Sequence, residues 1–129
     1  MTSKDRPTIE LNQTITLALT VTDRQASAQW YEQHLGFQTA FASDEMGWTE
    51  LHTNTAGVTL GLGESDSPSP GNCVPVFGVA SVDDAHAALK AAGIQFDGDV
   101  IHYEGMVKLA TFFDPDKNAL MIAEDLTQS

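Results

Sequence analysis

Any chemistry in this chain has to come from four histidines, one cysteine and eighteen carboxylates. Glu50 and His52 stand two residues apart in a strand-like stretch, so they share a face with Trp48. His102, Tyr103 and Glu104 run together just before Gly105, on a short strand or loop. His34 and His86 fall inside helical patterns, where an imidazole faces solvent or packs against neighbours. No histidine–carboxylate pair is close enough in sequence to argue for general base catalysis. Cys73, the lone cysteine, excludes an internal disulfide and suits a reducing compartment. With no histidine pattern to activate it, it reads as a small buried or loop thiol.

Charge narrows the partners. Eighteen acidic residues against six basic ones give a net charge of −12, which repels nucleic acid and anionic lipid surfaces. The basic residues, Lys4, Arg6, Arg24, Lys90, Lys108 and Lys117, are scattered, so no phosphate-binding patch assembles from sequence neighbours. Such acidity serves solubility, or it draws in a cationic small molecule. No apolar run approaches the roughly 20 residues a membrane helix needs, and Met1 to Thr8 reads as a flexible tail rather than a signal peptide. These features lead us to expect a cytoplasmic protein with no nucleic-acid or membrane partner.

At 129 residues, 42% hydrophobic and 19% charged, the chain fits one ordinary globular domain, expected over 9–129. Within it, two segments repeat one order of elements. In the first, about 9–64, Ile15–Val21 is a β-branched, aliphatic strand. Asp23 caps a helix to about Leu35, with Ala26 and Trp30 four apart on its apolar face, and Gly36 ends it. Strands follow at Phe37–Phe41, Trp48–Thr53 and Val58–Glu64. In the second, about 73–125, Val74–Val79 is a strand, and Ser81 with Asp84 looks like a capping box. The helix there buries Val82, Ala85, Leu89 and Ala92, Gly93 stops it, and Ile94–Phe96 begins a strand. Val107–Phe113 and Ala119–Glu124 close the segment around a turn at Asp114-Pro115-Asp116-Lys117-Asn118. The proline-rich stretch 65–72 connects the halves.

The repeat has a register. Gly36-Phe37-Gln38 matches Gly93-Ile94-Gln95 at an offset of 57, and Gly47, Leu51 and Thr53 match Gly105, Leu109 and Thr111 at 58. Leu60 and Glu64 match Leu120 and Glu124 at 60. The fold class is therefore α+β: two βαβββ modules forming a curved eight-stranded mixed sheet around a cup, helices outside.

The stretches LALTVTDRQASAQWYEQHLGF and ATFFDPDKNALMIAED resemble the first strand–helix and the closing hairpin of the vicinal oxygen chelate superfamily, which includes glyoxalase I and the fosfomycin- and bleomycin-resistance proteins. The likeness spans roughly Ile15 to Glu124. In metal-using relatives, four strand positions facing the cup supply ligands, and the resemblance places them at Thr16, Gly61, Val74 and Met121. These offer no imidazole, thiolate or carboxylate, so neither a metal nor another cofactor is expected.

By the same alignment the cup is lined by Thr16, Ala18, Gly61, Gly63, Val74, Val76, Tyr103, Leu109, Thr111 and Met121, with Trp48 beside it. Thr49, Leu51 and Thr53 turn toward the cup and His52 away, and the two glycines leave room where relatives hold a metal. A metal-independent binder follows, sequestering a hydrophobic or cationic small molecule as bleomycin-resistance proteins do, and the resemblance implies a homodimer. Two alternatives stand beside it. One is an enzyme of the superfamily, lyase, isomerase or dioxygenase-like, with a displaced site built from Glu50, His52, Tyr103 or Glu104. The other is a noncatalytic relative whose cup is filled by its own side chains.

Overall fold

The computed structural model describes residues 6–115, 117 and 119–127. Its contacts divide the chain into two compact units. The N-terminal unit, Thr14–Pro75, holds β1 (Ile15–Val21), α1 (Arg24–Leu35), β2 (Gln38–Ser43), β3 (Trp48–His52) and β4 (Val58–Glu64). The C-terminal unit takes in the chain from Val76 onward together with the segment before Thr14. It carries α2 (Val82–Ala91), β6 (Ile101–Tyr103), β7 (Val107–Phe113) and β8 (Ala119–Asp125), and β5 (Val74–Gly78) leads into it. Both follow the βαβββ plan, which makes the protein α+β. Asp116 and Asn118 of the closing turn lie outside the described residues.

In the N-terminal unit the strand order is β2-β3-β4-β1, with β1 parallel to β4 and the other pairs antiparallel. The C-terminal unit repeats this as β6-β7-β8-β5, with β5 parallel to β8. A helix covers one face of each sheet. Between α1 and its sheet Ala28, Leu51, Leu60 and Leu62 are buried, with Leu17, Leu19, Val21, Tyr31 and Phe37 packed around them. Between α2 and its sheet Val79, Val82, Ala85, Leu89, Ala110 and Ile122 are buried, with Phe96 and Phe112 packed against them. Ile9 packs on this second cluster, and Asn12 donates its backbone N–H to Gly78 O at 2.8 Å, so the segment before β1 belongs with the later half of the chain.

Side-chain caps hold both helix starts. Asp23 accepts from Ala26 N at 3.1 Å and Ser81 from Asp84 N at 3.1 Å, each satisfying a first-turn amide that lacks an intrahelical partner. Gly36 ends α1 at φ 75°, a left-handed conformation that costs a residue without Cβ little.

Three local expectations are corrected. Ala26 and Trp30 do not form the buried face of α1: both are exposed, and Ala28 and Tyr31 face the sheet. Arg24, anchored on β3 and β4, lies on the same side of the helix as Ala28 and Tyr31, and Trp30 is left to contact Tyr31 and His34 with ring centroids 5.1 and 5.0 Å away. Ile94–Phe96 forms no strand but a single bridge, Phe96 to Phe112. Gly98, at φ 78°, turns the chain there, and the strand forms at Ile101–Tyr103. Ala92, expected in the buried face of α2, is an exposed C-cap residue because the helix ends at Ala91.

Lys108 on β7 donates to Asp83 on α2 at 2.7 Å. The hydrogen bond to Lys108, and then its charge, holds the Asp83 carboxyl below its usual 3.8. A lowered folded-state value contributes stability that is complete above 3.8 and fades as the pH falls through the lower folded value. Thermal unfolding should therefore separate D83N from the parent at neutral pH and bring the two together in strong acid. A gap that stays constant down to the lowest pH would show that the ion pair contributes nothing. The effect is small, since the pair is solvent-exposed.

Candidate functional site

The face of each sheet opposite its helix is where a ligand has room, since the other face is taken by the core. In the N-terminal unit, strand pairing defines that face as three rows. Gln38, His52, Thr59 and Thr16 form the first, Phe41, Glu50, Gly61 and Ala18 the second, and Ser43, Trp48, Gly63 and Thr20 the third. Thr49 and Leu51 point the other way: Thr49 is buried and Leu51 is fully enclosed in the core under α1. The expectation that Thr49, Leu51 and Thr53 turn toward the ligand face, with His52 turned away, is thus corrected for Thr49, Leu51 and His52. The repeat register caused the error. Glu50 stands opposite Gly61 and Thr111 opposite Met121, so Glu50 and Thr111 are equivalent and the true offset is odd, whereas Leu51 with Leu109 is even. A slip of an odd number of residues sends every side chain to the other face.

The second correction concerns space. Gly61 does not open onto a void: a Cβ placed on it would overlap Trp48 Cζ2 and Cη2 and come within 2.9 Å of Cε2. At Gly63 the same ring lies 3.6–3.7 Å from such a Cβ, an ordinary contact. The indole therefore leans from β3 diagonally across β4, over two glycines that leave it flush with the backbone.

Hydrogen bonds hold the ring there. Trp48 Nε1 donates to Glu50 Oε1 at 2.9 Å, Thr59 Oγ1 donates to Glu50 Oε2 at 2.9 Å, and Thr59 and Thr16 Oγ1 are 2.7 Å apart. With the Thr59 proton committed to Glu50, Thr16 is the donor in that last pair. Each Glu50 oxygen keeps a free lone pair, and among the described residues no basic side chain pairs with it. Phe41, directly across from Glu50, is 48% exposed.

Arg24 ties the edge of this arrangement together. Its guanidinium donates to Glu64 Oε1, Asp44 Oδ1 and Trp48 O at 3.0 Å and to Thr49 Oγ1 at 3.1 Å. The bonds to Glu64 and Asp44 raise its already high pKa.

In the C-terminal unit the face away from α2 carries Val76, Met121 and Thr111 in one row, with Ala123, Leu109 and Ile101 in the next. Tyr103 stands opposite Val107 on the same face. This surface is apolar apart from Thr111, the phenol and Asp125, which pairs with Val107 at the end of β8. Val74, at the start of β5, is half-buried. Glu104 does not join the site: it is almost fully exposed and lies 3.9 Å from His102. No hydrogen bond links Glu50 to His52, or Tyr103 to Glu104, among the described residues. A shallow depression of about 450 Å³ opens elsewhere, at the end of α2, lined by Lys90, Gly93, Ile94, Gln95, Phe96 and Gly98. It contains none of these groups.

A transition metal does not fit the four positions that the family likeness singles out. The Thr16 hydroxyl is engaged with Thr59, Gly61 lies under an indole, and Val74 and Met121 offer no nitrogen, thiolate or carboxylate. Among the described residues no group of three or more histidine, cysteine, aspartate or glutamate side chains is arranged to hold one. The site residues that sequence reasoning passed over are Phe41 and Thr59. Glu50 was placed only in the displaced-site alternative. Strand alternation from Trp48 was the signal that pointed to Glu50, and the even offset of the repeat obscured it.

The model of the Glyoxalase/Bleomycin resistance protein/Dioxygenase superfamily matches residues 13–122. No curated protein matches the sequence. Among solved structures, methylmalonyl-CoA epimerase from Mycobacterium tuberculosis superposes with a TM-score of 0.72 at 14% identity, covering 93% of this chain and 92% of that one. A single-residue variant of Streptomyces coelicolor methylmalonyl-CoA epimerase, solved with 2-nitronate-propionyl-CoA, gives 0.68 at 17%, covering 90% and 99%. A Legionella pneumophila structure described as an NAD-dependent benzaldehyde dehydrogenase gives 0.68 at 20%, covering 86% and 98%. At these identities the likeness is one of fold.

Proposed function

From the premise that the chain belongs to the Glyoxalase/Bleomycin resistance protein/Dioxygenase superfamily, we propose that it binds a hydrophobic or cationic small molecule, without a metal, on the sheet face of Phe41, Trp48 and Glu50. One observation carries the reading: a half-buried carboxylate held by Trp48 and Thr59, with no cation beside it among the described residues. Removing a charge from water without a partner is costly, and an incoming ammonium or amidinium restores the balance. Phe41 supplies apolar area next to it, and the net charge of −12 adds attraction over about 8–10 Å at moderate salt. Thr16, Ala18, Gly61 and Gly63 complete the bed of this surface. The reading also assigns Val74 to ligand contact and, in the C-terminal unit, Val76, Tyr103, Leu109, Thr111 and Met121. It also includes a cytoplasmic homodimer, in which a second copy covers sheet edges such as β2. No helix among the described residues is long and apolar enough to cross a membrane.

The test uses benzamidinium and benzoate, which have the same shape and opposite charge. Trp30 is replaced by phenylalanine so that Trp48 is the only fluorophore of its kind. Benzamidinium should quench Trp48 and bind about tenfold or more tightly than benzoate at low salt, a difference of about 1.4 kcal/mol. Molar salt should narrow the gap, E50Q should remove most of it, and a metal chelator should leave it unchanged. Equal binding of both probes at every salt concentration would sink the proposal.

A second reading, an enzyme of the same superfamily, rests on the same carboxylate, since Glu50 keeps free lone pairs with which to accept a proton. Superposable structures include enzymes named methylmalonyl-CoA epimerase. Incorporation of solvent deuterium into methylmalonyl-CoA by the parent and not by E50Q would decide for it.

A further inference from the structure

We propose that Arg24 is the positioning residue of this site: its guanidinium sets where the Trp48 indole stands, and through the indole it sets Glu50. The inference rests on the binding reading above for its ligand arm only.

Arg24 occupies the first position of α1, where the helix macrodipole disfavours a cation, and no acidic residue accompanies it in the first turn. Helix chemistry therefore gives no reason for an arginine there. Its partners give one. Asp44 lies in the turn just before β3, Trp48 O and Thr49 Oγ1 open β3, and Glu64 follows Gly63, part of the bed under the indole. Every acceptor is thus within a few residues of Trp48 or of the glycines beneath it. Two backbone bonds complete the frame, from Gly47 N to Asp44 O at 3.2 Å and from Glu64 N to Gly47 O at 3.1 Å.

The arginine side chain is only 14% exposed, and its planar fork reaches acceptors in four directions. A lysine ammonium keeps the charge but cannot reach all four acceptors from one point. The backbone of Trp48 is held by its sheet pairs with Ser43 and Gly63 and by Arg24, and its ring nitrogen by Glu50. Without the Arg24 bonds this end of β3 loosens, the ring shifts over Gly61, and the carboxylate it steadies moves with it.

The experiment compares R24K, D44N, E64Q and a control, K108M, all carrying W30F. K108M breaks the ion pair in the other unit. D44N and E64Q keep the Arg24 bonds to Trp48 O and Thr49 Oγ1, so they remain informative if R24K folds poorly. In R24K the Trp48 emission should move to the red and its polarisation should fall, with affinity for benzamidinium weakened about tenfold. D44N and E64Q should show the same change to a lesser degree, and K108M none. If R24K, D44N and E64Q lower only the unfolding midpoint, leaving Trp48 emission and benzamidinium affinity at parent values, Arg24 is merely structural and the inference is overturned. If benzamidinium fails to bind even the parent while R24K still shifts the emission, positioning stands and the binding reading fails. The two failures are distinct.

Discussion

Replacing Gly61 by alanine is expected to lower stability by about 2–4 kcal/mol, far more than a single methyl group usually costs. The added Cβ would occupy the place of the Trp48 ring edge, so the indole has to tilt off the sheet. Overpacking accounts for part of the loss, and the broken bond from Trp48 Nε1 to Glu50 accounts for the rest. Urea unfolding of the G61A protein measures the total. The double variant W48A/G61A separates the causes, because the alanine at 61 should then be tolerated. If G61A costs the same with and without the tryptophan, the clash is not its origin, and strict additivity would refute the interlock.

The second large effect lies in the two cores. Leu51 and Ile122 are fully enclosed, one beneath each helix. Truncating either to alanine should cost about 2–5 kcal/mol, the transfer energy of the lost atoms plus the cavity left behind. Amide exchange locates each loss. L51A should raise exchange first in α1, β3 and β4, and I122A first in α2, β7 and β8, since each residue packs within its own cluster. Uniform exposure of both units by either substitution would contradict that assignment.

The order of elements was readable because periodicity and punctuation agree in this sequence. Asp23 and Gly36 bound α1, Ser81 and Gly93 bound α2, a β-branched run marks β1, and mixed aliphatic and aromatic residues mark β7. The phase of α1 was not readable. Ala26 and Trp30 offer the larger apolar pair, yet the buried side follows Arg24, and anchoring by a charged residue leaves no hydrophobic signature. The site was half readable for a related reason. Duplicated identities such as Leu51 with Leu109 align letters, whereas strand pairing aligns faces, and the two disagree by an odd number of residues. Nor does a glycine announce what lies over it. Gly61 reads as space until Trp48, which pairs with Gly63 on the neighbouring strand, is seen to reach diagonally across it.

That same ring restricts the routes open to this sequence in evolution. At position 61, which the family likeness singles out for a metal ligand, any donor side chain begins with a Cβ that would displace the indole. A single substitution that puts a donor at 61 while Trp48 remains has to tilt the indole off the sheet, as G61A does. Replacing Trp48 first gives up the N–H that steadies Glu50 and uncovers Gly61 and Gly63. A path to a metal donor at 61 therefore runs through a destabilised intermediate in either order. Lineages carrying this tryptophan should keep glycine at 61, and lineages with a donor at 61 should carry a smaller residue at 48.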